Sequence, residues 1–384
     1  MYYITTMQHR KPRQITWEDV IADKVILNDF ANDKSRSSAT ITKTYETIAP
    51  AILAKVDVAG MISWLKKFNE DNQKLFETNR NELFNSFKIP KSSGGFRPID
   101  EPLEPLMSEL SRLTSFLRDS CGLLYHTAAF AYIKDRSIVD NNMKHVNNKS
   151  NWYLKTDFSG FFPHTNLDFV MKMLSMIFPI SEVCKDMIGY YELKKALSLS
   201  YKADGLLPQG SPLSPFITNV IMIPLDHRIF GELTRRKLVY TRYADDMIIS
   251  GEEKFPWQDI VQFIKDVLKE FNAPYEIKKE KTRFGSVKGS NWNLGLMATK
   301  YKDEYMLTVG HRKKKYVNAS INSFILDTLH NKPWSIEDVM TLNGQLSYCL
   351  MIEKKYFNDL IEKYNKKYNV NVRRMIRKYM NLTA

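Results

Sequence analysis

Two adjacent carboxylates, Asp245 and Asp246, are the residues of this sequence whose type and spacing point most directly to chemistry. Apolar runs at residues 238–240 and 247–249 flank them, and this pattern predicts a tight hairpin with both carboxylates at its tip. Adjacent negative charges cost folding free energy unless a positive group neutralises them. Mg²⁺ does so, and it prefers carboxylate and phosphate oxygens as ligands. The stretch therefore indicates metal-assisted chemistry on phosphates.

The overall charge indicates what kind of partner such a site would serve. The chain has 384 residues with a formal net charge of +13, and 43% of its residues are hydrophobic, enough for two or three lobes with a sizeable core. The positive excess favours a polyanion, of which nucleic acid is the commonest. An anionic membrane is the alternative, but no apolar run approaches the roughly 18 residues that span a bilayer. We therefore predict a nucleic-acid partner and no membrane.

Targeting and redox signals predict a cytoplasmic protein. The N-terminus lacks the basic start and apolar core of a secretory signal. The three cysteines, Cys121, Cys184 and Cys349, are far apart and odd in number, which fits a reducing compartment. The seven histidines show no Cys/His spacing typical of a zinc site.

A basic hairpin is predicted upstream of the carboxylates. Residues 88–99 contain a Gly-Gly turn between basic residues, which predicts a β-hairpin that presents Lys91 and Arg97 to a phosphate. A surface hairpin with solvated charges explains the same pattern equally well. Residues 1–80 before it are predicted to be helical and carry little functional signal.

A third carboxylate, Asp157, ends a strand predicted over residues 152–156. An amphipathic helix is predicted to follow over residues 166–178. Asp157 and Asp245 are far apart in sequence, so a fold that uses both must bring two strand ends together. A central antiparallel sheet does this when the Asp245-Asp246 hairpin lies beside the strand of Asp157.

A loop rich in proline and glycine, at residues 206–215, leads into another predicted helix. We expect Ser214 to cap that helix, because serine side chains accept hydrogen bonds from free amides at helix starts. The helix is expected to extend to about residue 233, with a kink at Pro224. A further helix is predicted over residues 257–271.

The C-terminal region combines positive charge with aromatic side chains. Residues 311–315 form a basic run, and residues 354–384 carry nine Lys or Arg against two acidic residues, with tyrosines between them. This combination suits a nucleic-acid surface. A solvated helix face is the alternative.

The order of these motifs resembles the palm of a reverse transcriptase. Asp157 follows a strand, the Pro208-Gln209-Gly210 loop opens a helix, and the Asp pair lies on a hairpin, in that family's order. The resemblance implies an α+β right-hand polymerase fold with an antiparallel palm sheet, fingers and a helical thumb. It implies an N-terminal helical extension over residues 1–80, fingers and palm over 81–300, and a basic, RNA-binding thumb over 301–384.

The resemblance also implies a metal centre. Nucleotidyl transfer uses two metal ions about 4 Å apart, which stabilise the attacking 3′-oxygen and the leaving pyrophosphate. In the family's pattern Asp157 and Asp245 bind two Mg²⁺ ions, for which Mn²⁺ can substitute. Asp246 is the supporting carboxylate, and the backbone of Phe158 supplies a carbonyl ligand.

Nucleotide-binding residues follow from the same resemblance. Phe162 matches the bulky residue that blocks a ribose 2′-hydroxyl, so the enzyme should prefer dNTPs; a core aromatic is the alternative reading. Lys281 matches a lysine near the pyrophosphate, where a general acid can act, although a solvated lysine explains it almost as well. The remaining matches are the triphosphate-gripping residues Arg97 and Lys91 and the template- and nucleotide-packing residues Gln209 and Gly210.

Two further segments resemble RNA- and primer-binding parts of the family. The turn at Leu294 and Gly295 resembles the primer grip. The basic run that contains Arg312, Lys313 and Lys314 is the corresponding candidate for holding RNA.

Finer motifs resemble the bacterial branch that contains retron and group II intron enzymes. Residues 134–138 and 141–145 resemble that branch's Gly-Arg-Ser-Ile and Asn-Ala-x-x-His patterns, with Asp135 in place of the glycine and Asn142 in place of the alanine. Residues 342–348 resemble the thumb helix of retron-like enzymes. The retron Val-Thr-Gly turn is replaced by Asn-Leu-Gly, which leaves defence-associated relatives open.

This resemblance implies an enzyme that copies a structured noncoding RNA into DNA from dNTPs and holds an RNA–DNA hybrid product. Antiphage defence and an effector protein are further expectations, and the oligomeric state is not predicted. No RNase H, integrase or HNH domain is expected, because about 80 residues after the palm leave room for the thumb alone. The alternatives are an RNA-binding maturase or scaffold, and template-independent or protein-primed synthesis on the same fold.

Overall fold

The computed structural model describes most of the chain, namely residues 57–91, 94–121, 125–289, 291–301 and 304–381. Most of the predicted N-terminal helical extension, residues 1–56, lies outside the described residues. The final residues of the predicted thumb, 382–384, also lie outside them.

The helices and strands are numbered in chain order. The first part forms α1 (Val58–Asp71), α2 (Gln73–Glu77), a 3-10 turn (Arg80–Leu83), β1 (Phe84–Pro90), β2 (Phe96–Pro102), α3 (Leu106–Cys121) and α4 (Ile138–Asn147). The middle forms β3 (Trp152–Ser159), α5 (Phe161–His164), α6 (Leu167–Leu174), α7 (Ile180–Lys185), α8 (Met187–Ser198), α9 (Leu213–Ile221), α10 (Ile223–Arg235), β4 (Val239–Tyr243) and β5 (Asp246–Gly251). The last part forms α11 (Trp257–Glu270), β6 (Glu276–Ile277), a 3-10 turn (Lys279–Lys281), β7 (Arg283–Ser286), β8 (Trp292–Asn293), β9 (Leu296–Tyr301), β10 (Glu304–Thr308), α12 (Gly310–Leu329), α13 (Ile336–Ile352), α14 (Lys354–Tyr368) and α15 (Val372–Asn381).

These elements divide into two compact units. The first unit contains the described residues up to Ser137 together with Leu154–Ile249 and Pro256–Arg283. The second contains Ile138–Tyr153, Ser250–Phe255 and the described residues from Phe284 onward. The domain boundaries at residues 80 and 300 remain predictions.

A five-stranded sheet positions the predicted carboxylates. Its order is β4-β5-β3-β6, with β7 also paired to β3, and β3 and β6 are antiparallel. The strands β3 and β5 are largely buried. The helix α11 covers β6 with an apolar face made of Ile260, Phe263, Ile264, Val267 and Leu268, which has the spacing of an amphipathic helix.

Several local predictions are confirmed. The hairpins β1–β2 and β4–β5 form where the sequence predicts them, and α11 spans Trp257–Glu270. The strand β3 is longer than predicted, because Phe158 and Ser159 pair with Ile277 and Glu276. Asp157 therefore lies within a strand and does not end it.

Two helix boundaries differ from the predictions. The helix predicted over residues 166–178 ends at Leu174, because the amides of Met176 and Ile177 bond to carbonyls three residues back. The prediction that Ser214 caps the next helix is wrong, since Pro212 occupies the N-cap and Ser214 lies inside α9. The expected kink at Pro224 is a break at Met222, after which Pro224 stands in the first turn of α10, where its missing N–H costs nothing.

The second unit combines a small sheet with helices. β8, β9 and β10 form an antiparallel sheet, and α4 packs on β9 and β10. The helices α12 to α15 pack together around buried side chains that include Phe324 and Phe357. Within the described part of the chain, we find no helix with the length and apolar character needed to cross a bilayer.

Candidate active site

The two adjacent carboxylates lie at the tip of the β4–β5 hairpin. β4 ends at Tyr243 and β5 begins at Asp246, so Ala244 and Asp245 form the turn. Ala244 has a backbone φ of 55°, in the left-handed region that non-glycine residues seldom adopt. The turn is therefore sharp, and it leaves Asp245 outside both strands.

A backbone hydrogen bond joins this turn to β3, the strand that carries Asp157. The amide of Phe158 donates to the carbonyl of Asp245 at 3.3 Å. Asp157 immediately precedes Phe158, and it is 2% exposed. The sheet thus brings Asp157 to the hairpin that carries Asp245 and Asp246.

Two lysines contact Asp157 from the segment after β6. Lys278 Nζ lies 3.1 Å from Asp157 Oδ1, and Lys281 Nζ donates to Oδ2. The backbone reinforces this contact, because the amide of Lys278 donates to the carbonyl of Asp157 at 3.1 Å. A 3-10 turn over Lys279–Lys281 carries the second lysine back toward β3.

Burial and like charge raise the pKa values of the hairpin carboxylates. Burial raises the pKa of Asp246 to about 6, and the charges of Asp245 and Asp157 add to the effect. The pKa of Asp245 is also raised, first by burial and then by Asp157. Lys281 and Lys278 partly offset both increases. The two lysines therefore balance only part of the negative charge.

The same site raises the pKa of Lys281. Burial alone would lower that pKa, but the hydrogen bond to Asp157 and the charges of Asp157, Asp246 and Asp245 outweigh it. Lys281 is therefore protonated near neutral pH and contributes a positive charge to the site.

The chemistry of these side chains fits a divalent cation. Half-buried carboxylates with raised pKa values are ligands that gain from a hard cation such as Mg²⁺. Among the residues that the structure describes, however, no three His, Cys, Asp or Glu side chains are arranged to hold a metal ion. Both oxygens of Asp157 contact lysines instead. A cation at Asp157 would therefore displace at least one lysine.

Arg97 is the predicted triphosphate-binding residue that the structure relates to the carboxylates. Arg97 pairs with Ile89 in the β1–β2 hairpin and is exposed. Partial burial and the charge of Asp245 raise the pKa of Tyr132, whereas the charge of Arg97 lowers it. Arg97 and Asp245 therefore both influence the pKa of the Tyr132 hydroxyl. Lys91 is exposed beside the Gly-Gly turn, and its amide donates to Gly95 at 3.0 Å.

The predicted nucleotide-contacting loop packs against β2. The amide of Asp100 donates to the carbonyl of Gln209 at 2.8 Å. Gly210 has a φ of 131°, and a Cβ atom there would lie 2.9 Å from the carbonyl oxygen of Asp100. Glycine is therefore required for this close approach.

Phe162 lies just after β3, in the short helix α5. Its ring is half-buried and makes an edge contact with Phe161, with 5.6 Å between the centroids. This contact agrees with both interpretations of Phe162, as a ribose gate and as a core aromatic. The gate role remains a prediction.

The predicted RNA- and primer-binding residues lie in the second unit. Leu294 and Gly295 have φ values of 51° and 80° and form a two-residue hairpin turn between β8 and β9. Arg312 is exposed on α12, and Lys313 lies 5.7 Å from the ring centroid of Tyr316. Lys314 contacts Glu353 at 2.5 Å, so its charge is already partly balanced.

Several charged and polar residues around the carboxylates are not predicted from the sequence. Lys278 belongs to the same basic segment as Lys281 and could have been found by that proximity. Arg242 is the one charged residue of strand β4, whose other residues are uncharged. A charge in such a strand could have marked it as a residue with a specific partner. Tyr132 and Lys155 carry no sequence signal. Burial lowers the pKa of Lys155 to about 8, although Asp246 acts to raise it.

Comparison with known proteins identifies relatives of this chain. The family model described as "Reverse transcriptase (RNA-dependent DNA polymerase)" matches residues 89–317. The retron Ec73 reverse transcriptase of Escherichia coli is 27% identical over 72% of this chain and 85% of its own length. The retron Ec83 reverse transcriptase of Escherichia coli is 26% identical over 82% of this chain and 96% of its own length. Among solved structures, telomerase from Candida albicans bound to a TWJ fragment of telomeric RNA has a TM-score of 0.43 and 14% identity, over 83% of this chain and 63% of that chain. A score that low carries no structural conclusion.

Proposed function

Because the chain belongs to the reverse transcriptase (RNA-dependent DNA polymerase) family, we propose that it copies a structured noncoding RNA into DNA through Asp157, Asp245 and Asp246. The chain is an RNA-directed DNA polymerase of the retron type, with an α+β right-hand fold and an RNA template as its partner. The observation that carries the catalytic proposal is the 3.3 Å bond from Phe158 to Asp245, which joins the strand of one carboxylate to the turn of the others.

Reverse transcriptases use divalent metal ions, and we propose two Mg²⁺ ions here, for which Mn²⁺ can substitute. Asp157, Asp245 and the carbonyl of Phe158 would hold them, with Asp246 in support. When bound, such ions stabilise the attacking 3′-oxygen and the leaving pyrophosphate. The raised pKa values of Asp245 and Asp246 support this assignment, because a nearby cation would relieve their mutual repulsion.

The side chains around the carboxylates have proposed roles of their own. Lys281 releases Asp157 and donates a proton from Nζ to the leaving pyrophosphate, and its raised pKa keeps Nζ protonated until that step. Phe162 excludes a ribose 2′-hydroxyl and so selects dNTPs. Arg97 and Lys91 bind the triphosphate by charge-assisted hydrogen bonds. Gln209 and Gly210 contact the nucleotide and template.

The partner RNA and the biological role are also part of the proposal. We place the fingers and palm at residues 81–300 and an RNA-binding thumb at 301–384, where the exposed side chains of Arg312 and of the arginines on α15 support phosphate contacts. The turn at Leu294 and Gly295 is the proposed primer grip. A role in antiphage defence, with an effector protein, extends the likeness to the retron relatives. A cytoplasmic setting agrees with the free thiols of Cys184 and Cys349.

The test is the double substitution D245N/D246N, which removes two negative charges at nearly constant volume. We expect dNTP incorporation on an RNA template to fall at least about 1,000-fold, because the metal ligands are lost, while RNA affinity stays within about twofold. The matched control is D259N/D266N, which makes the same change on the exposed face of α11. Wild-type synthesis by D245N/D246N would show that these carboxylates are not the metal ligands.

A further inference from the structure

A buried ion pair includes Arg242, a residue of the same hairpin that carries Asp245 and Asp246. Arg242 on β4 and Asp226 on α10 are both fully buried, and the guanidinium binds the carboxylate through two nitrogens, Nε at 2.9 Å and Nη2 at 2.7 Å. The hydroxyl of Tyr240 donates to the same carboxylate at 2.8 Å. Apolar side chains of similar volume often stabilise a core at least as well as a buried ion pair does. Stability is therefore a weak explanation for this pair.

The third nitrogen of the guanidinium contacts the turn itself. Arg242 Nη1 donates to the carbonyl of Ala244 at 2.9 Å and to Oδ1 of Asn219 at 3.3 Å. Ala244 holds a left-handed φ of 55°, and such a conformation persists when the surroundings fix it. The carbonyl that Arg242 holds belongs to the peptide that leads directly into Asp245.

The position of Arg242 is itself fixed by its neighbours. Its amide donates to the carbonyl of Ala128 at 2.6 Å, and its carbonyl accepts from the amide of Phe130 at 2.9 Å. Asn219 is held in turn, because its Nδ2 donates to the carbonyl of Ala131 at 2.7 Å. Hydrogen bonds therefore hold the backbone of Arg242 in place, and its guanidinium lies between the counterion Asp226 and the carbonyl of Ala244.

From this geometry we infer that Arg242 is a positioning residue for nucleotidyl transfer. Its Nη1 contact orients the peptide between Ala244 and Asp245, and that peptide sets the directions of the Asp245 and Asp246 carboxylates. The inference rests on the proposed catalytic function of those two residues. A misplacement of catalytic groups by about 1 Å lowers a rate on the order of 100-fold, so the loss of this contact should be measurable.

The test compares substitutions that separate the contact to the turn from the ion pair. R242K keeps a positive charge for Asp226, but a single ammonium cannot reproduce the guanidinium fork. R242M/D226L replaces both charges with apolar side chains, so no buried charge is left unpaired in a variant that should fold. The matched control is Y240F, which loses a hydrogen bond to Asp226 but leaves the contact from Arg242 to Ala244 intact.

Two readouts distinguish positioning from stability. We expect kcat for dNTP incorporation to fall about 10- to 100-fold in R242K and R242M/D226L, with KM for dNTP changed less than threefold. We expect the affinity of the nucleotide-free protein for Mn²⁺, measured by electron paramagnetic resonance, to weaken in both. Y240F should keep wild-type kcat and Mn²⁺ affinity even where its melting temperature falls as far as that of R242K.

The outcomes also separate this inference from the proposed function. If R242M/D226L keeps wild-type kcat and Mn²⁺ affinity while D245N/D246N is inactive, the positioning role is wrong and the catalytic proposal stands. If D245N/D246N itself synthesises DNA normally, the catalytic proposal fails first. An equal loss of kcat in Y240F would assign the effect to stability and overturn the inference.

Discussion

At the scale of single residues, the feature that governs this site is the contact of Lys278 and Lys281 with Asp157. One buried and two half-buried carboxylates need positive charge, and these two ammonium groups supply part of it. A cation that binds Asp157 has to compete with them. In the absence of nucleotide, the two lysines therefore make the free energy of cation binding at Asp157 less favourable.

Replacing Lys281 with methionine should separate its two proposed effects. We expect K281M to bind Mn²⁺ more tightly in the absence of nucleotide, because a competitor for Asp157 is gone. We expect its kcat to fall about 100- to 10,000-fold, because the proposed proton donor is lost. Mn²⁺ titration followed by electron paramagnetic resonance and single-turnover incorporation measure the two effects. The control is K279M, an exposed lysine in the same 3-10 turn, and weaker Mn²⁺ binding in K281M would contradict the competition.

A buried histidine predicts how stability depends on pH. His145 is fully buried beside Ser250, with Nδ1 and Oγ 2.6 Å apart, and burial lowers its pKa from 6.5 to about 3. The unfolded chain therefore binds more protons than the folded chain between these values. His145 should lower the unfolding free energy by up to about 1.4 kcal/mol per unit as pH falls below 6.5.

Guanidinium unfolding at several pH values measures this slope. H145Q cannot titrate, so the difference between wild type and H145Q should shrink as pH falls from 6.5 toward 4. Using the difference cancels the opposite contribution of carboxylates such as Asp246, whose raised pKa makes stability fall as pH rises toward 6. Parallel curves for the two proteins would show that His145 is not buried in its neutral form.

At the scale of elements, the site depends on loops that lie closely against strands. The loop before α9 meets β2 through the bond from Asp100 to Gln209, and Gly210 has no room for a side chain. The same kind of dependence holds at the β4–β5 turn, where Arg242 supplies the hydrogen bond to the turn carbonyl. Nucleotide contacts would thus be set by backbone geometry as much as by side-chain identity.

Replacing Gly210 with alanine tests this dependence. G210A places a Cβ atom about 2.9 Å from the carbonyl oxygen of Asp100 at a φ of 131°, so we expect a loss of about 1 to 3 kcal/mol in unfolding free energy. If the loop shifts to relieve the clash, KM for dNTP should rise. The control is G231A on α10, where a Cβ meets no atom within 4 Å, and alanine should gain about 0.5 to 1 kcal/mol. Equal stabilities for the two variants in thermal unfolding would argue against the close contact.

At the scale of the whole molecule, positive charge dominates. The net charge of +13 makes counterion release a large part of any RNA affinity. On α15, Val372 and Ile376 are buried while Arg374, Arg377 and Lys378 are exposed, so one face of this helix is free to meet phosphates. Affinity should therefore fall steeply with salt.

Neutralising that face should reduce the salt dependence. We expect R374Q/R377Q/K378Q to lower the slope of log affinity against log salt by about 2, at roughly 0.7 per lost phosphate contact. The control K66Q/K67Q/K74Q removes the same charge from exposed positions on α1 and α2, and it should leave the slope nearly unchanged. Filter binding between 50 and 300 mM salt, on the order of the range where counterion release acts, measures both. Equal reductions of this slope in the two triple variants would mean that net charge alone drives RNA binding.

The sequence by itself determined the local elements and the chemistry of the carboxylates. Apolar runs on both sides of the adjacent carboxylates predicted the β4–β5 hairpin, and the amphipathic period predicted α11, because these patterns act between near neighbours. The carboxylate types of Asp157, Asp245 and Asp246 predicted a preference for a hard cation. The family could also be recognised from the sequence, because each of its motifs is a short run of consecutive residues.

Only the tertiary structure decided which groups surround those carboxylates. Three features join residues that belong to different elements. They are the pairing of β3 past Asp157 with β6, the contacts of Lys278 and Lys281 with Asp157, and the ion pair of Arg242 on β4 with Asp226 on α10. Ser214 was mistaken for a cap because Pro212 starts the helix earlier. The pKa of Asp246 depends on burial and on the distance to other charges, and the position of Arg242 depends on its partner Asp226. These surroundings form only when distant strands and helices pack together.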